Sequence, residues 1–424
     1  MTPGSILAVL ALVGCGDKPE PPKPDAAGRL APIPAPAAPV QEPLVGGPYP
    51  TLLLAQAQFS KGPDGKAKPG AALVTLWRQT PDGWKSSKLE DGASNVFHKA
   101  MAHEGAIYTI GAEDAWLKRW RFEEGTWRSE GLWNPSWGGK FDRIRDLEIG
   151  DVDHDGKDDL VMATHDFGVV AVGRFDAEGK LVVTELDRAA DTFVHEIEVG
   201  DIDGDGKKEF FATPTGRNRS SGESQPGDVV MYRWDGTTFV RTVVEHFEGR
   251  HAKELLATDV DGDGKSEFYG VIEAETKIEG GKPVVSVPVE VRQYLLQKDG
   301  TFKAEVRLVI EDRQTRFLVP GDFDHDGDVD LIAAAMDSGL WIARTSADGK
   351  WVSEVIDRAS SGYEHAAWGA DLDGDGKLEL YVAADNQKEL RRYLWDAGTN
   401  SFVRTPIGPI PAASITWNIT STAI

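Results

Sequence analysis

Short apolar runs, separated by turn residues, recur along the chain from about residue 50 to its C-terminus. In one repeat these runs are Phe193–Val199, Glu209–Thr213, Asp228–Trp234 and Phe239–Val244. Runs of this length that are rich in β-branched and aromatic residues predict strands. Each repeat therefore predicts four antiparallel strands, and an acidic loop joins the first strand to the second.

The acidic loop has the same frame in five repeats. It places Asp at loop positions 1, 3 and 5, Gly at position 6, and Asp or Glu at position 9. Its acidic residues are Asp151, Asp153, Asp155 and Asp159; Asp201, Asp203, Asp205 and Glu209; Asp259, Asp261, Asp263 and Glu267; Asp322, Asp324, Asp326 and Asp330; and Asp371, Asp373, Asp375 and Glu379. Four-stranded units that are repeated along a chain in this way indicate the blades of a β-propeller.

The loop chemistry predicts calcium. Carboxylates at alternating loop positions converge on one point, and a glycine at position 6 permits the sharp turn, as in other calcium loops. Hard oxygen ligands favour Ca²⁺ or Mg²⁺ over zinc, and the number of ligands favours Ca²⁺. We expect about five structural Ca²⁺ ions, one for each loop. The alternative is a set of solvated acidic turns that hold no ion.

Two further repeats lack the acidic loop. Residues 94–133 follow the strand pattern with a short turn in its place, and residues 50–90 supply three strands instead of four. Ser414–Thr420 aligns with His365–Asp371, so the C-terminal segment is expected to supply the missing inner strand. The fold prediction is all-β: a seven-bladed β-propeller of four-stranded blades, closed by a C-terminal strand that joins the first blade.

These loops resemble those of the FG-GAP and VCBS-repeat propellers, which are similar to the calcium-loop blades of integrin α-subunit heads and of many bacterial surface proteins. The resemblance covers residues 50–424 and implies both the propeller and its calcium sites. It leaves the function open, because this fold hosts adhesins, lectins and some carbohydrate-active enzymes such as rhamnogalacturonan lyases.

The N-terminus differs from the rest in composition. Ile6–Val13 is an apolar run too short to span a bilayer, and it leads into Leu-Val-Gly-Cys at Cys15. This sequence resembles the lipobox of a bacterial lipoprotein signal, although Met1–Ser5 carries no Lys or Arg. The alternative is a buried apolar N-terminal element.

A Pro- and Ala-rich stretch without hydrophobic periodicity follows and predicts an extended tether. The predicted domains are a signal peptide at 1–15, the tether at 16–47 and the propeller at 48–424. Lipidation of Cys15 would anchor the chain to a membrane of the bacterial cell envelope, on its periplasmic or cell-surface side.

The net charge of −23 argues against nucleic acid as a partner, because a phosphate backbone would be repelled. The single cysteine excludes an intrachain disulfide. We expect a monomer, with a polysaccharide or an envelope protein as its partner.

A basic or imidazole side chain stands at one aligned position in six of the seven blades. This predicted basic ring consists of His98, Arg145, His195, Lys253, Arg316 and His365. Because the first strand of each blade lines the axial channel, these side chains could form a ring at one channel mouth. Two insertions, Pro214–Gly227 and Glu273–Pro288, are expected on the same face.

The ring has two interpretations. It could bind an anionic or polyhydroxylated ligand such as a uronate-bearing polysaccharide. Alternatively, each basic residue could form an ion pair with an aspartate in a neighbouring turn, and the candidates are Asp114, Asp166, Asp337 and Asp385.

The function expected from these features is a non-catalytic module for adhesion, carbohydrate binding or envelope scaffolding, because the chain lacks the local catalytic motifs of serine hydrolases, phosphate-binding enzymes and zinc proteases. The alternative is a lyase-like carbohydrate-active enzyme at the channel mouth. There His98, His195, His365 and Lys253 would act as base, acid or ligands of a transition metal. A protein-interaction hub is a third possibility, and it would use Trp116, Trp120, Trp127, Trp133 and Trp137.

Overall fold

The computed structural model describes residues 48–62, 65–112, 115–139, 142–217, 223–346 and 350–423. The predicted signal peptide, its Cys15 and the tether lie outside these residues. Among the described residues no helix is long and apolar enough to cross a membrane.

The regular elements of the described chain are strands. The first three blades contain β1 (Pro50–Lys61), β2 (Ala67–Pro69), β3 (Ala72–Thr80), β4 (Gly83–Asp91), β5 (Phe97–His103), β6 (Ala106–Gly111), β7 (Leu117–Glu123), β8 (Thr126–Trp133), β9 (Ile144–Gly150), β10 (Asp159–Thr164), β11 (Val170–Phe175) and β12 (Leu181–Asp187). The fourth and fifth blades contain β13 (Thr192–Gly200), β14 (Glu209–Gly216), β15 (Gly227–Trp234), β16 (Phe239–Phe247), β17 (Ala252–Thr258), β18 (Glu267–Ile272), β19 (Glu275–Glu279), β20 (Lys282–Val287), β21 (Val289–Leu296) and β22 (Phe302–Ile310). The last two blades and the closing strand are β23 (Thr315–Gly321), β24 (Asp330–Ala335), β25 (Leu340–Thr345), β26 (Trp351–Asp357), β27 (Ala367–Ala370), β28 (Glu379–Ala384), β29 (Glu389–Asp396), β30 (Ser401–Pro409) and β31 (Ser414–Ala423).

Twenty-eight of the described strands form seven four-stranded antiparallel sheets around one axis, while β2 is an extra strand paired with β1 and β19 pairs with β20. In each of the last six sheets the strands follow chain order from the inside outward. The inner strands β5, β9, β13, β17, β23, β27 and β31 each contact the next, and β31 contacts β5. The predicted seven-bladed propeller is confirmed.

The C-terminal strand closes the ring as predicted. β31 pairs antiparallel with β1, and Leu53 stands opposite Thr420 and Leu54 opposite Ile419. β1, β3 and β4 supply the other three strands of the first blade. Closure leaves the first blade without an unpaired inner edge, which an open propeller would expose to other chains.

Burial is greatest in the second strand of each blade and decreases towards the rim. Every residue of the second strands β10, β24 and β28 is buried, and these strands are rich in Val, Leu and Ala. The outer strands alternate instead, and valines such as Val182 and Val352 are about half exposed. Strands buried on both faces read as continuous apolar runs, and half-buried strands alternate.

Neighbouring side chains of a second strand pack against different sheets. Phe210 stacks on Tyr232 within its own blade, with ring centroids 4.7 Å apart. Phe211 points the other way and stacks on Phe268 of the next blade at 4.0 Å. The core is therefore a series of apolar layers between adjacent blades, as expected for side chains that alternate across a strand.

The two predicted insertions contact each other. The second one forms the hairpin β19–β20, and Ser224 from the first forms hydrogen bonds with Ala274 and Thr276 at 3.3 and 3.1 Å. Both insertions connect the second and third strands of their blades, so they lie on the face opposite the acidic loops.

Candidate functional site

The acidic loops bring their carboxylates together. In each loop, three carboxylate oxygens from different residues lie within 4.8 Å of one another. The converging sets are Asp151, Asp153 and Asp159; Asp201, Asp203 and Asp205; Asp259, Asp261 and Asp263; Asp322, Asp324 and Asp330; and Asp371, Asp373 and Glu379. All five loops lie on one face, because each connects a first strand to a second.

Backbone conformation fixes the loop around its first aspartate. The carboxylate of Asp151 accepts the N–H of Gly156 at 3.0 Å, and Asp201 accepts that of Gly206 at 2.7 Å. The glycines at position 6 have positive φ angles, 87° at Gly156 and 83° at Gly206. A side chain would strain this conformation, so glycine is required there.

The closing acid at position 9 is the first residue of the second strand. Its carboxylate accepts the N–H of loop position 2, as when Asp330 bonds Phe323 at 3.0 Å. Burial raises the pKa of Asp159 to about 6 and the pKa values of Glu209 and Asp330 to about 7. Carboxylates held this close in a partly buried place favour a bound cation.

The donor set fits calcium. The atoms that converge in each loop are carboxylate oxygens, which are ligands that Ca²⁺ takes in proteins. The converging carboxylates fit the predicted ions, while the identity and number of ions stay predictions.

Four arginines at these loops were missed by the sequence analysis. Arg174, Arg233, Arg344 and Arg392 lie on third strands and form ion pairs with the carboxylate at loop position 3, and three of them also with the closing acid. Arg174, for example, has its Nε 2.8 Å from Asp153 and 3.0 Å from Asp159. Their signal was an arginine in the third strand, which the cross-strand register places opposite the closing acid in three blades and two residues from that position in the seventh.

At the opposite face, the channel mouth contains a cavity of about 20 Å³. Four members of the predicted basic ring line it: His98, Arg145, Lys253 and Arg316. A fifth member, His195, contacts Lys253, whose Nζ is 2.9 Å from His195 Nδ1. The volume suffices for about one water-sized group.

His365 does not line this cavity. It is fully buried, and its nitrogens face Ser360 Oγ at 2.8 Å and the Ala335 carbonyl oxygen at 2.7 Å. The preceding residue, Glu364, takes its place at the mouth. The cavity is therefore lined by ring members from four blades and, in the seventh blade, by the Glu364 carboxylate instead of His365.

The cations of the mouth have acidic partners in neighbouring blades. Arg316 forms ion pairs with Glu364 and, at 3.5 Å, with Glu273. Arg145 lies 3.8 Å from Glu364 and stacks over Trp417 at 5.2 Å. Burial would lower the pKa of Arg316, but the neighbouring glutamates raise it.

The turn aspartates proposed as partners of the ring bind elsewhere. Asp385 accepts the Thr416 N–H at 2.8 Å, Asp166 lies 3.2 Å from His165, and the backbone N–H of Asp337 donates to Asp312. Asp114 lies outside the described residues. Ion pairing does occur at the mouth, but Glu364 and Glu273 provide it.

The three histidines proposed as joint metal ligands are not brought together. His98 Nδ1 bonds the Ile144 carbonyl at 2.8 Å, and His365 bonds Ala335, while His195 contacts Lys253. Burial lowers the pKa of His98 and of His195 well below the ordinary value, and that of His365 to about 4. In the described part of the chain, the groups that could hold a metal are those of the acidic loops.

Lys253 is a buried cation whose pKa is strongly lowered. Burial lowers its pKa to about 7, and the nearby Arg316 adds to this effect. The sequence analysis missed two further histidines near it. His165 and His251 lie with ring centroids 5.9 and 5.7 Å from that of His195.

An acidic layer that the sequence analysis also missed extends from the cavity into the channel, and its members Asp146, Glu196 and Glu254 line the cavity together with the basic side chains. It consists of Asp146, Glu148, Glu196, Glu198 and Glu254, with Lys99 among them. Burial would lower the pKa of Lys99, but these carboxylates raise it, and its Nζ lies 3.0 Å from Asp146. The signal was an acid directly after a ring position, as in Arg145-Asp146, His195-Glu196 and Lys253-Glu254.

Comparison with known proteins supports the repeat assignment. A sequence profile of the FG-GAP-like repeat matches residues 151–212 and 322–382. Each matched segment starts at an acidic loop and ends in the second strand of the next blade. No curated protein matches the sequence. The resemblance to FG-GAP repeats is confirmed for these segments.

Solved structures with a similar fold come from several kinds of protein. One is a protein from Lactobacillus plantarum, with 12% identity, a TM-score of 0.56, and coverage of 88% of this chain and 99% of that one. The periplasmic gluconolactonase of Pseudomonas aeruginosa has 13% identity, a TM-score of 0.51, and coverage of 88% and 99%. An apocarotenoid oxygenase of Synechocystis has 11% identity, a TM-score of 0.50, and coverage of 89% and 93%. At these identities the similarity shows the fold alone.

Proposed function

We propose that this propeller, with its FG-GAP-like repeats, is a calcium-binding module of the bacterial cell envelope, anchored through a lipid on Cys15 and held away from the membrane by the tether. It acts as a monomeric, non-catalytic binding or adhesion protein for an anionic carbohydrate. The observation that carries the ligand proposal is the combination of guanidinium groups and aromatic rings at the channel mouth.

Calcium has a structural role in this proposal. The five carboxylate clusters lie on the face opposite the channel mouth, so their ions would hold the turns between inner strands without touching a ligand at the mouth. An ion that binds only the folded protein stabilises it by mass action. The opposite face is then left for recognition, on a rigid scaffold.

Arg145 is the group best placed to receive a carboxylate. Its guanidinium lies over the Trp417 ring and is 3.8 Å from Glu364, too far for a strong ion pair. Arg316 lies over Tyr363 at 4.6 Å. Arginine binds carboxylates through parallel hydrogen bonds, and aromatic faces offer apolar surface beside them.

The size of the cavity limits how such a ligand binds. A volume of about 20 Å³ admits one small polar group and excludes a sugar ring. A polysaccharide would therefore lie across the mouth and insert one charged group. The polar atoms His98 Nε2, Trp417 Nε1 and Asn418 Oδ1 have no hydrogen-bond partner within the described residues. Of these, Trp417 Nε1 can donate to a carboxylate, whereas Asn418 Oδ1 and the Nε2 of a His98 that donates through Nδ1 are acceptors.

The test compares binding by the wild type and by Arg145→Gln on an array of neutral and uronate-bearing glycans, with Ca²⁺ present. Arg121→Gln, a change of the same charge at an exposed outer position, is the matched control. We expect binding of acidic glycans that Arg145→Gln weakens at least about tenfold and Arg121→Gln leaves unchanged. Equal binding by all three proteins, or none by the wild type, would refute the ligand proposal.

One observation favours a second candidate function, a lyase-like enzyme. Lys253 has a pKa of about 7 and lies beside Arg145 and Arg316 at the same cavity. A base with this pKa can remove a proton next to a carboxylate that an arginine holds. Ultraviolet detection of unsaturated uronate ends, lost in Lys253→Met, would support this function over binding alone.

A further inference from the structure

The calcium loops differ in one respect that their sequences hide, and the following inference rests on the calcium role proposed above. The loops 201–209, 259–267 and 371–379 share the frame Asp-x-Asp-Gly-Asp-Gly-Lys-x-Glu. Their ligand side chains are therefore identical. Apart from the side chains at loop positions 2 and 8, any difference in ion binding between them must come from residues outside the loop.

The three loops differ in whether an arginine of the third strand lies beside them. In the loop 201–209, Arg233 lies 2.8 Å from Asp203 and 3.0 Å from Glu209. In the loop 371–379, Arg392 lies 2.9 Å from Glu379 and 3.6 Å from Asp373. Both arginines contact the charges that a bound Ca²⁺ would contact.

The fifth blade has no such arginine. The strand pairing of Tyr269 with Gln293 places Leu295 opposite Glu267, whereas the pairing of Phe210 with Tyr232 places Arg233 opposite Glu209. Gln293 stands where Arg392 stands in the seventh blade, and its amide oxygen accepts hydrogen bonds from Arg307. Within the described residues, no Lys or Arg forms an ion pair with an acid of the loop 259–267.

The burial of the closing acid also distinguishes the fifth-blade loop from the four loops that have an arginine. The closing acids Asp159, Glu209, Asp330 and Glu379 are all buried, while Glu267 is only partly buried. The aspartates Asp259, Asp261 and Asp263 are all exposed. The fifth-blade loop thus presents four carboxylates with no arginine against them.

We infer that the arginines are built-in counter-ions that weaken calcium binding in four loops, so that the arginine-free loop 259–267 is the high-affinity site and fills first. Affinity for Ca²⁺ rises with the charge of the ligand set. An arginine paired with two ligands lowers that charge, and the ion must compete with its hydrogen bonds. The same arginine holds the loop carboxylates together before the ion binds.

The lysine at loop position 7 does not account for the difference. Lys207, Lys265 and Lys377 occupy it in all three loops that share the frame. Among the described residues, an ion-paired arginine of the third strand is the basic neighbour that both other loops have and the loop 259–267 lacks. A reciprocal exchange between the fourth and fifth blades can therefore isolate its effect.

The experiment uses the full chain, stripped of ions with a chelator and titrated with Ca²⁺ by isothermal calorimetry. We expect one ion to bind more tightly than the rest. Asp261→Asn should abolish this tight step, while Asp203→Asn, at the same position of an arginine-bearing loop, should preserve it. A tight step that survives Asp261→Asn would overturn the inference.

The exchange variants test the arginine itself. Leu295→Arg should weaken the tight step about threefold or more, and Leu295→Gln, an uncharged control, should weaken it less. Arg233→Leu should convert a second site to tight binding and lower the melting temperature in chelator. An unchanged tight step in Leu295→Arg, with a wild-type circular dichroism spectrum in saturating Ca²⁺, would contradict the inference.

The outcomes separate this inference from the function on which it rests. If the wild type binds no Ca²⁺, the proposed calcium role fails. If it binds several ions of equal affinity, that role stands and the arginine effect is refuted.

Discussion

The propeller carries two rings of charge that are built in opposite ways. On one face, each acidic loop contains its own carboxylates within nine residues, and the same geometry recurs in five blades. At the channel mouth, the charged groups come from different blades and satisfy one another. Arg316 pairs with Glu364, 48 residues away, and Lys253 contacts His195, 58 residues away.

This comparison shows under which condition an aligned position has the same role in each blade. A loop that contains all its carboxylate ligands presents the same ligand set in each of the five blades that have it. A position whose partner lies in the next blade depends on that neighbour. His98 therefore bonds a backbone carbonyl, His365 is buried away from the cavity, and Arg316 is held by a glutamate.

The largest effect is expected from removing the bound ions, because this change acts on the acidic loops and not on the channel mouth. Each site at a hundredfold excess of Ca²⁺ over Kd contributes about 2.7 kcal/mol of stability, so chelation should cost on the order of 10 kcal/mol in total. The melting temperature, measured by differential scanning calorimetry with Ca²⁺ and with chelator, should fall by more than about 10 °C.

Magnesium provides the control for that experiment. Because Mg²⁺ needs near-octahedral geometry and dehydrates reluctantly, it should restore only part of the lost stability. A melting temperature that is the same with Ca²⁺ and with chelator would mean that the acidic loops are solvated turns.

The sequence was sufficient wherever the determinants are local. The five loop frames and the strand pattern gave the blade count, and the match of Ser414–Thr420 to His365–Asp371 gave the closing strand, which the pairing of β31 with β1 confirms. The sequence was insufficient where charges meet across blades or strands. Glu364 at the mouth and Arg233 beside its loop are recognisable only once the register is known.

The channel mouth is tested by breaking its strongest ion pair. Arg316→Met leaves Glu364 buried without its main partner, which should cost about 3–5 kcal/mol in the free energy of unfolding. Arg145→Met removes the weaker contact to the same glutamate and should cost about 1 kcal/mol. Urea denaturation of both variants in saturating Ca²⁺ measures the difference.

Equal losses in these two variants would contradict the unequal pairing of Glu364. Calcium binding serves as the internal control, because the two faces are separate. Calorimetric titration should give the same ion affinities for both variants as for the wild type.

The smallest expected effect concerns Lys253. Its pKa in the folded protein is about 7, below the ordinary value of 10.5, so below pH 7 the protein must bury a charged ammonium. Between these two values the unfolded chain binds more protons than the folded one, so this group makes stability rise with pH. Lys253→Met removes the penalty but also removes the contact with His195, so the net rise in melting temperature near pH 6 should be a few degrees. The gain should shrink towards about pH 10, where the wild-type lysine is uncharged in the fold.

Lys180→Met, at an exposed lysine, is the control and should show no such trend. A gain in Lys253→Met that stays constant with pH would mean that Lys253 titrates normally.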